Sequence, residues 1–469
     1  MDDAAMQSLY LRHDNPSKTA TSFKVGNVFY PAPAYIPEIK GEEDLNVLLE
    51  NTQAIPAGNP ILIPSNRWAD LVHPLYYQHN LFGKNIPIRD FIQNYSLIFY
   101  DPPEFFRGVY GEKLLDYAIS GKPNSKQNFK SKLKNKDLPG AINEIPPFFQ
   151  PFVEAQLFTI GKSFDIELDK NHNGDVYRAW LDTRINEYYP TYIANNVNMA
   201  LKSPNSTIIP LVPQLKKDTP DSIKRRILSS NAATSRICYE MKRENKQILP
   251  YFHLYIDSNI FDTDGQNTPH TVFKLLNAGV THGNYYNNYS GVAVTFTGYE
   301  TIIQNHKFLQ LRNFINEIVN ICHEKTPSLP VILPRSSWYG LYFTDYGVQA
   351  FSSLLNGNLK YSQGSGGTIS PNNRFGKMPI IDLCIDADIS YVKDHLSELD
   401  ELPHVDGLPT IPQPEYFKDA ELYRIKFSKP MRLIHIEEGR RIRKATLEGT
   451  LTPSKHYFSK SQHLYLKNL

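Results

Sequence analysis

The sequence has few cysteines and no long apolar run, and these two absences exclude several classes of protein. Its 469 residues contain three cysteines, Cys238, Cys322 and Cys384, which are too few and too far apart for a disulfide framework or a thiolate metal site. No apolar run approaches the roughly 20 residues of a transmembrane helix. The polar stretch Met1–Lys18 also lacks the apolar core of a secretory signal. We therefore expect a soluble, cytoplasmic protein that does not bind membranes.

Charge and recognisable catalytic motifs are also scarce. The formal net charge is only +2, so bulk electrostatics indicate no polyanionic partner. The sequence contains no glycine-rich dinucleotide-binding turn near its start, no Gly-x-Ser-x-Gly elbow and no His-Glu-x-x-His helix. No spacing of histidines or carboxylates matches an established metal site. No metal or cofactor is predicted, and no motif specifies a reaction.

What the sequence does contain is an alternation of short strand-like runs with helix-period segments, clearest between Thr207 and Cys384. Thr219-Pro220 and Thr268-Pro269 are typical helix starts. A first strand is expected between Val28 and Pro37. The further predicted strands are Ile61–Pro64, Ser96–Tyr100, Thr207–Val212, Tyr251–Asp257, Val292–Phe296, Pro330–Leu333, Leu359–Tyr361 and Ile380–Leu383. Eight or nine strands alternating with helices favour an α/β fold of the (β/α)8 barrel type over an open doubly wound sheet.

The composition divides the chain into three parts. Residues 1–24 are polar without a sustained period and predict a mobile tail. Residues 25–390 form the predicted barrel, with a lysine-rich loop insertion near 121–136. The composition then shifts from acidic to basic, and residues 391–469 predict a linker and a small basic C-terminal appendage.

Polar residues that follow apolar runs are the first candidates for a functional site, because parallel barrels gather strand-end residues around one mouth. On this basis Asp257, Glu300, Arg335 and Asp345 are predicted to surround the mouth. Two carboxylates there could divide acid and base work. The alternative is that Asp257 and Glu300 only cap helices or end strands. His253 lies inside an apolar run, which indicates a core histidine with a backbone partner.

A glycine-rich segment consisting of Gly364, Ser365, Gly366 and Gly367 predicts a phosphate-binding turn. Glycines permit close backbone approach and can aim several amide hydrogens at one anion. Its position late in the strand and helix alternation is where many barrels bind phosphate. A flexible surface turn remains the alternative, because the segment lacks the lysine of a nucleotide P-loop.

Two basic segments indicate a second possible partner, nucleic acid. They contain Lys130, Lys132 and Lys134 in the predicted loop, and Arg440, Arg441, Arg443 and Lys444 near the end of the chain. Such clusters contact backbone phosphates. The alternative for the lysines is a solvated loop, and the alternative for the C-terminal cluster is neutralisation of the neighbouring acidic segment. A non-catalytic interaction scaffold is a third hypothesis. It predicts a mouth that is filled by aromatic side chains.

Three patches resemble the phage and bacterial "beta protein" family. They are Tyr35-Ile36-Pro37 with Gly41-Glu42, then Asp345-Tyr346-Gly347-Val348-Gln349, and then Leu359-Lys360-Tyr361-Ser362, and their order is similar to the family's. The patches cover less than a fifth of the chain, and Lys360 and Ser362 stand where the family pattern has Arg and Thr. The resemblance implies an association with mobile elements or their hosts, without an agreed reaction.

Overall fold

The computed structural model describes most of the predicted barrel. The described residues are 22–39, 42–53, 55, 58–65, 78–81, 84–87, 94–100, 125–144, 189–203, 205–244, 246–262, 265, 267–281, 289–297, 308–324, 328–355, 377–380, 385–388 and 428–451.

The strands of the described residues are β1 Ser22–Val25, β2 Val28–Pro31, β3 Ala34–Glu38, β4 Pro60–Pro64, β5 Gln78–Leu81, β6 Lys84–Pro87, β7 Ser96–Tyr100, β8 Ser206–Ile209, β9 Tyr251–Asp257, β10 Gly291–Thr297, β11 Val331–Leu333, β12 Ala350–Leu354, β13 Lys377–Ile380 and β14 Ile385–Asp388. The helices are α1 Glu42–Glu50, α2 Ser125–Lys134, α3 Leu138–Asn143, α4 Asp221–Glu240, α5 Pro269–Thr281, α6 Phe308–His323, α7 Tyr339–Thr344 and α8 Ser428–Glu448, with a helical segment at 189–201 and a 3-10 turn at Ser258–Phe261. None of these described helices is long and apolar enough to cross a membrane.

Eight parallel strands form one sheet that is nearly closed into a barrel, which confirms the predicted (β/α)8-type fold. The sheet order is β8-β7-β4-β3-β12-β11-β10-β9, so the barrel strands follow one another in chain order and β12 pairs with β3. A bridge at Leu215 joins the two ends of the sheet. The Leu215 amide donates to the carbonyl of Tyr255 (2.8 Å), and the Asp257 amide donates to the carbonyl of Leu215 (2.8 Å).

The barrel strands are buried on both faces because one face fills the lumen and the other packs against helices. In β9, Phe252, Leu254 and Ile256 point outward into a cluster with α5 and α6. Tyr251, on the opposite face of β9, belongs to the lumen cluster together with Ile36 and Ile98. The nearly continuous apolar runs of these strands therefore reflect burial on two sides.

The hairpin of β1 and β2 closes the amino-terminal end of the barrel. Phe23, Val25 and Tyr30 pack against the inward side chains of the barrel strands. The Tyr251 hydroxyl, at the start of β9, donates to the carbonyl of Lys24 (2.9 Å), and the Tyr30 hydroxyl donates to the carbonyl of Gly58 (2.6 Å). This end of the lumen is thus sealed by apolar and aromatic side chains. The hairpin begins at Ser22, inside the stretch that was expected to be a tail.

Helix α8, predicted as part of a basic C-terminal region, packs directly on the barrel. It contacts β3 and α1. Arg432 and Asp44 form a buried ion pair, and the Trp338 indole nitrogen donates to His435 (3.1 Å). The helix therefore lies against the first barrel strand, in the place of the last barrel helix.

Three local predictions differ from the structure. The eighth barrel strand is Ala350–Leu354, whereas Leu359–Tyr361 lies outside the described residues and Ile380 belongs to the separate hairpin of β13 and β14. The predicted lysine-rich loop contains α2, because lysine is a good helix former and Phe129 anchors one face in the core. Helix α4 begins at Asp221, after Pro220, while the Thr219 hydroxyl accepts a hydrogen bond from the Lys216 amide (2.6 Å).

Candidate functional site at the strand carboxyl ends

A buried ion pair joins the carboxyl ends of two barrel strands. Glu38 is the last residue of β3, and Arg335 lies two residues beyond β11. The Arg335 Nε donates to both carboxylate oxygens of Glu38 (2.8 and 2.7 Å), and a terminal guanidinium nitrogen also donates to Glu38. The exposed fractions are 0% for Glu38 and 2% for Arg335. Each charge therefore depends on the other, because water does not solvate either one.

Tyr100 adds a third barrel strand to this pair. It is the last residue of β7, and its hydroxyl donates to the same Glu38 oxygen that the terminal Arg335 nitrogen contacts. The Arg335 guanidinium carbon lies 5.2 Å from the centre of the Tyr100 ring, within the range of a cation–π contact. The first, third and seventh barrel strands thus converge on one charged cluster at their carboxyl ends.

The backbone around Arg335 is held in an unusual conformation. Arg335 has φ 55° and Ser337 has φ 58°, both in the left-handed region that residues other than glycine seldom adopt. Ser352 in β12 supports this turn, because its hydroxyl accepts from the Arg335 amide (2.7 Å) and its carbonyl accepts from the Ser337 amide (3.2 Å). Each such residue costs on the order of 1–3 kcal/mol, and this kind of strain is concentrated at functional sites.

Asp257 occupies the end of β9, as predicted, and has structural partners. One carboxylate oxygen accepts from the Asn259 amide (3.0 Å) and caps the 3-10 turn, while the other accepts from the Gln214 side chain (3.1 Å). The capping alternative therefore holds for Asp257. The carboxylate is nevertheless buried at the same end of the barrel as Glu38.

His253 is the core histidine that its place in an apolar strand predicted. Its Nδ1 donates to the carbonyl of Pro210 (2.7 Å), and its Nε2 accepts from the Thr295 hydroxyl (3.0 Å). The Asn231 side chain bonds both the amide and the carbonyl of His253. Burial lowers the pKa of His253 to about 4, against the opposing effect of the Pro210 carbonyl, so the ring is neutral at pH 7.

The structure does not bring Asp345 to the mouth. Asp345 follows α7 in the turn that leads into Ala350 at the start of β12, and so it lies toward the amino-terminal end of the barrel. The apolar run before Asp345 forms the helix α7 and not a strand, and this helix carries the chain back along the barrel. Glu300, Gly364, Ser365, Gly366 and Gly367 lie outside the described residues.

Most of the predicted nucleic-acid-binding residues have acidic partners close by. Lys132 pairs with Glu144, Arg440 with Glu437, Arg441 with Glu438, and Lys444 with Glu448. Lys130, Lys134 and Arg443 are exposed. Pairing with neighbouring carboxylates lowers the net positive charge that these segments can present to a polyanion.

Glu38 and Tyr100 are the site residues that the sequence analysis missed. Each is the final residue of a predicted apolar run or directly follows one, and the same rule that selected Asp257 would have selected them.

Metal ligands are not assembled in the part of the barrel that the structure covers: no group of three or more His, Cys, Asp or Glu side chains is placed to hold an ion among the described residues. Comparison of the sequence with protein-family models and with curated proteins finds no match.

Proposed function

We propose that the protein binds a small phosphate-bearing ligand at the carboxyl-terminal end of its barrel. The contrast between the two ends supports this location. The hairpin of β1 and β2 seals the amino-terminal end with apolar side chains, whereas Glu38, Tyr100, Asp257 and Arg335 place polar groups at the other end. Barrel enzymes and binding proteins build their sites at that end, where loops can vary without disturbing the strands.

The position of two loops supports a phosphate group on the ligand, and this is the observation that carries the proposal. β11 and β12 are the seventh and eighth barrel strands. Arg335 follows the seventh strand, and the segment Gly364–Gly367 follows the eighth along the chain. The loops after these two strands form the phosphate site in many barrels.

We assign different roles to these two loops. Glu38 already compensates the charge of Arg335, so Arg335 is a positioning residue that holds the floor of the site through Glu38 and Tyr100. Direct phosphate contact falls to the backbone amides of Gly364, Gly366 and Gly367 and to the Ser365 hydroxyl. A backbone cradle of this kind binds an anion without a free lysine.

The polar character of the described mouth favours this proposal over an interaction scaffold. A scaffold with an occluded mouth would place aromatic side chains there. Three of the four strand-end side chains are instead ionisable, namely Glu38, Asp257 and Arg335. Nucleic-acid binding also has less support than the sequence alone gave it, because several of the basic residues pair with carboxylates. The resemblance to the "beta protein" family adds an association with mobile elements as part of the proposal.

Ligand-induced thermal stabilisation tests the proposal. Inorganic phosphate, sugar phosphates and nucleotides are compared with their phosphate-free counterparts, because a ligand that binds only the folded state raises the melting temperature. At least one phosphate compound should stabilise the wild type, and the Ser365→Ala/Gly366→Val variant should lose that shift. Ser229→Ala, on the exposed face of α4, is the matched control and should keep the shift.

Two results would remove the proposal. One is the absence of stabilisation by every phosphate compound at concentrations up to about 10 mM, which corresponds to roughly 3 kcal/mol of binding energy. The other is an unchanged shift in the Ser365→Ala/Gly366→Val variant. Retention on DNA or RNA that falls steeply with salt would instead favour the nucleic-acid hypothesis.

A further inference from the structure

A concave site lies at the opposite end of the barrel from the proposed phosphate site, between α8 and the amino-terminal ends of β3 and β4. Its cavity volume is about 280 Å³. The residues that define it are Tyr30, Tyr35, Ile55, Asn59, Arg443 and Leu447. None of them belongs to the strand-end cluster of Glu38, Tyr100, Asp257 and Arg335.

The cavity has rigid aromatic walls. Tyr35 stacks on Trp338 with ring centres 4.7 Å apart and 14° between the planes. The Tyr30 hydroxyl is fixed by its bond to the Gly58 carbonyl (2.6 Å). On the helix side, the Thr446 hydroxyl donates to the Pro33 carbonyl (2.8 Å) and ties α8 to the turn before β3. Walls that are already fixed lose little conformational entropy when a ligand enters.

The rim of the cavity exposes an apolar side chain. Leu447 is 58% exposed. A single exposed leucine is ordinary on a protein surface. Here the exposed leucine borders a cavity that is lined by tyrosines, prolines and an isoleucine. A ligand that fills the cavity would therefore remove apolar surface from water on both sides of the contact.

The charge of the cavity is unbalanced. Among the described residues that line the cavity, Arg443 is the one ionised side chain and no carboxylate contributes. The neighbouring cations Arg440, Arg441 and Lys444 pair with Glu437, Glu438 and Glu448, respectively. Arg443 forms no ion pair with any carboxylate that the structure describes. An arginine in this setting favours an anionic group that accepts its planar pair of hydrogen bonds.

We propose that this cavity binds a compact apolar molecule that carries one negatively charged group, with Arg443 as the anion-binding residue. The volume corresponds to roughly nine molecules of liquid water, which limits the ligand to a single ring or a short branched chain. The aromatic walls favour a planar ring, and the guanidinium favours a carboxylate or a phosphate monoester. The bound molecule would join α8 to β3, since residues of both elements form its walls.

Titration with benzoate tests this site, with benzamide as the neutral molecule of the same shape. Binding is followed by calorimetry and by ligand-observed NMR on the full chain. We expect saturable benzoate binding with a Kd on the order of 1 mM for a ligand of this size. Benzamide should bind about 10-fold or more weakly, because it lacks the charge-assisted hydrogen bonds.

Three variants locate the binding. Arg443→Gln should weaken benzoate binding by about 10-fold or more, while Arg443→Lys should retain part of it because the charge is kept. Leu447→Ala should weaken benzoate and benzamide to the same extent. Arg440→Gln is the matched control, since Arg440 is exposed on the same helix, pairs with Glu437 and does not line the cavity, and this variant should bind benzoate like the wild type.

The proposal fails if benzoate does not bind the wild type saturably up to about 10 mM, or if Arg443→Gln and the wild type bind it equally. Arg443 is exposed, so its replacement is expected to leave the fold intact. The result is independent of the phosphate proposal, because the two sites share no residue and the Ser365→Ala/Gly366→Val variant should bind benzoate normally.

Discussion

Glu38 and Arg335 are coupled because neither side chain can reach water. Removal of one partner leaves the other as an isolated buried charge, and this is costly because the interior solvates ions poorly. We therefore expect Arg335→Met and Glu38→Gln each to lower the free energy of unfolding by about 3–5 kcal/mol. The double variant should lose clearly less than the sum of the two, and urea denaturation measures all three values.

An exposed pair provides the control for this cycle. Arg236 and Glu240 lie one turn apart on α4 at 3.9 Å and are about half exposed, so their removal should cost less than about 1 kcal/mol. Strict additivity at Glu38 and Arg335 would show that the two charges act separately and would contradict the buried pair.

His253 should make the stability depend on pH. Its pKa is about 4 in the folded protein and near 6.5 when unfolded, so the unfolded chain binds more protons in this interval and stability falls as the pH is lowered through it. Between pH 7 and pH 4.5 the wild type should lose about 2 kcal/mol more than His253→Gln. Urea denaturation at the two pH values measures the difference.

His270 is the matched control because it is exposed on α5. His270→Gln should keep the pH dependence of the wild type. An equal pH dependence in His253→Gln and the wild type would mean that His253 titrates normally in the folded state.

The sequence locates single residues of the site but not their pairing. Asp257 and Arg335 were found because apolar runs mark where strands end, and this signal is local. The contact between Glu38 and Arg335 spans 297 positions, and it forms only because β12 pairs with both β3 and β11 and so places their carboxyl ends one strand apart. No local pattern contains that information.

At the scale of elements, α8 shows how close packing fixes one position of a helix. A Cβ atom at Gly439 would lie 2.4 Å from the Cδ1 of Tyr35, whose ring is held against Trp338. Overpacking of a core costs about 1–3 kcal/mol, which exceeds the gain of roughly 1 kcal/mol in helix propensity from glycine to alanine. Gly439→Ala should therefore lower the free energy of unfolding, as measured in guanidinium chloride.

Arg440→Ala on the same helix tests the interpretation, because Arg440 is exposed and should change stability by no more than about 0.5 kcal/mol. A more stable Gly439→Ala variant would mean that helix propensity outweighs the contact with Tyr35.

The eighth barrel strand was not predicted, because its local sequence has a weak strand signal. Ala350–Leu354 has the sequence AFSSL, and its two serines weaken the apolar signal that marks the other strands. In the fold their hydroxyls have partners, since Ser352 accepts from the Arg335 amide and Ser353 donates to the Leu354 carbonyl. Ser352 is thus a polar residue in a buried strand because its hydroxyl holds the turn at Arg335.

At the scale of the whole molecule, α8 joins two hydrophobic clusters that lie outside the barrel. Ile436 packs in the cluster on β4, β7 and β8, and Ile442 packs in the cluster on β9, β10 and β11. Ile436→Ala and Ile442→Ala should each cost about 2–5 kcal/mol. Because one helix links both clusters, circular dichroism and tryptophan fluorescence should shift together in one transition.

Leu447→Ala is the control, because Leu447 lies on the exposed part of α8. This variant should keep a free energy of unfolding within about 0.5 kcal/mol of the wild-type value. Two separate transitions in either isoleucine variant would show that the clusters unfold independently.

The barrel as a whole was predictable because each strand and helix unit is local and its crossover has a fixed hand. The sequence did not predict that β1 and β2 would seal the barrel or where α8 would pack. Both depend on which apolar faces remain uncovered once the barrel has formed.

The distance along the chain between β3 and α8 also has a consequence for synthesis. The outer face of β3, with Tyr35, emerges from the ribosome early, and the helix that covers it is made about 390 residues later. At about 5–20 residues per second this interval is roughly 20–80 s. Until α8 is made the nascent chain exposes this aromatic face, and until β12 is made β3 also has an unpaired edge. We therefore expect a chaperone to bind the growing polypeptide more strongly than the finished protein.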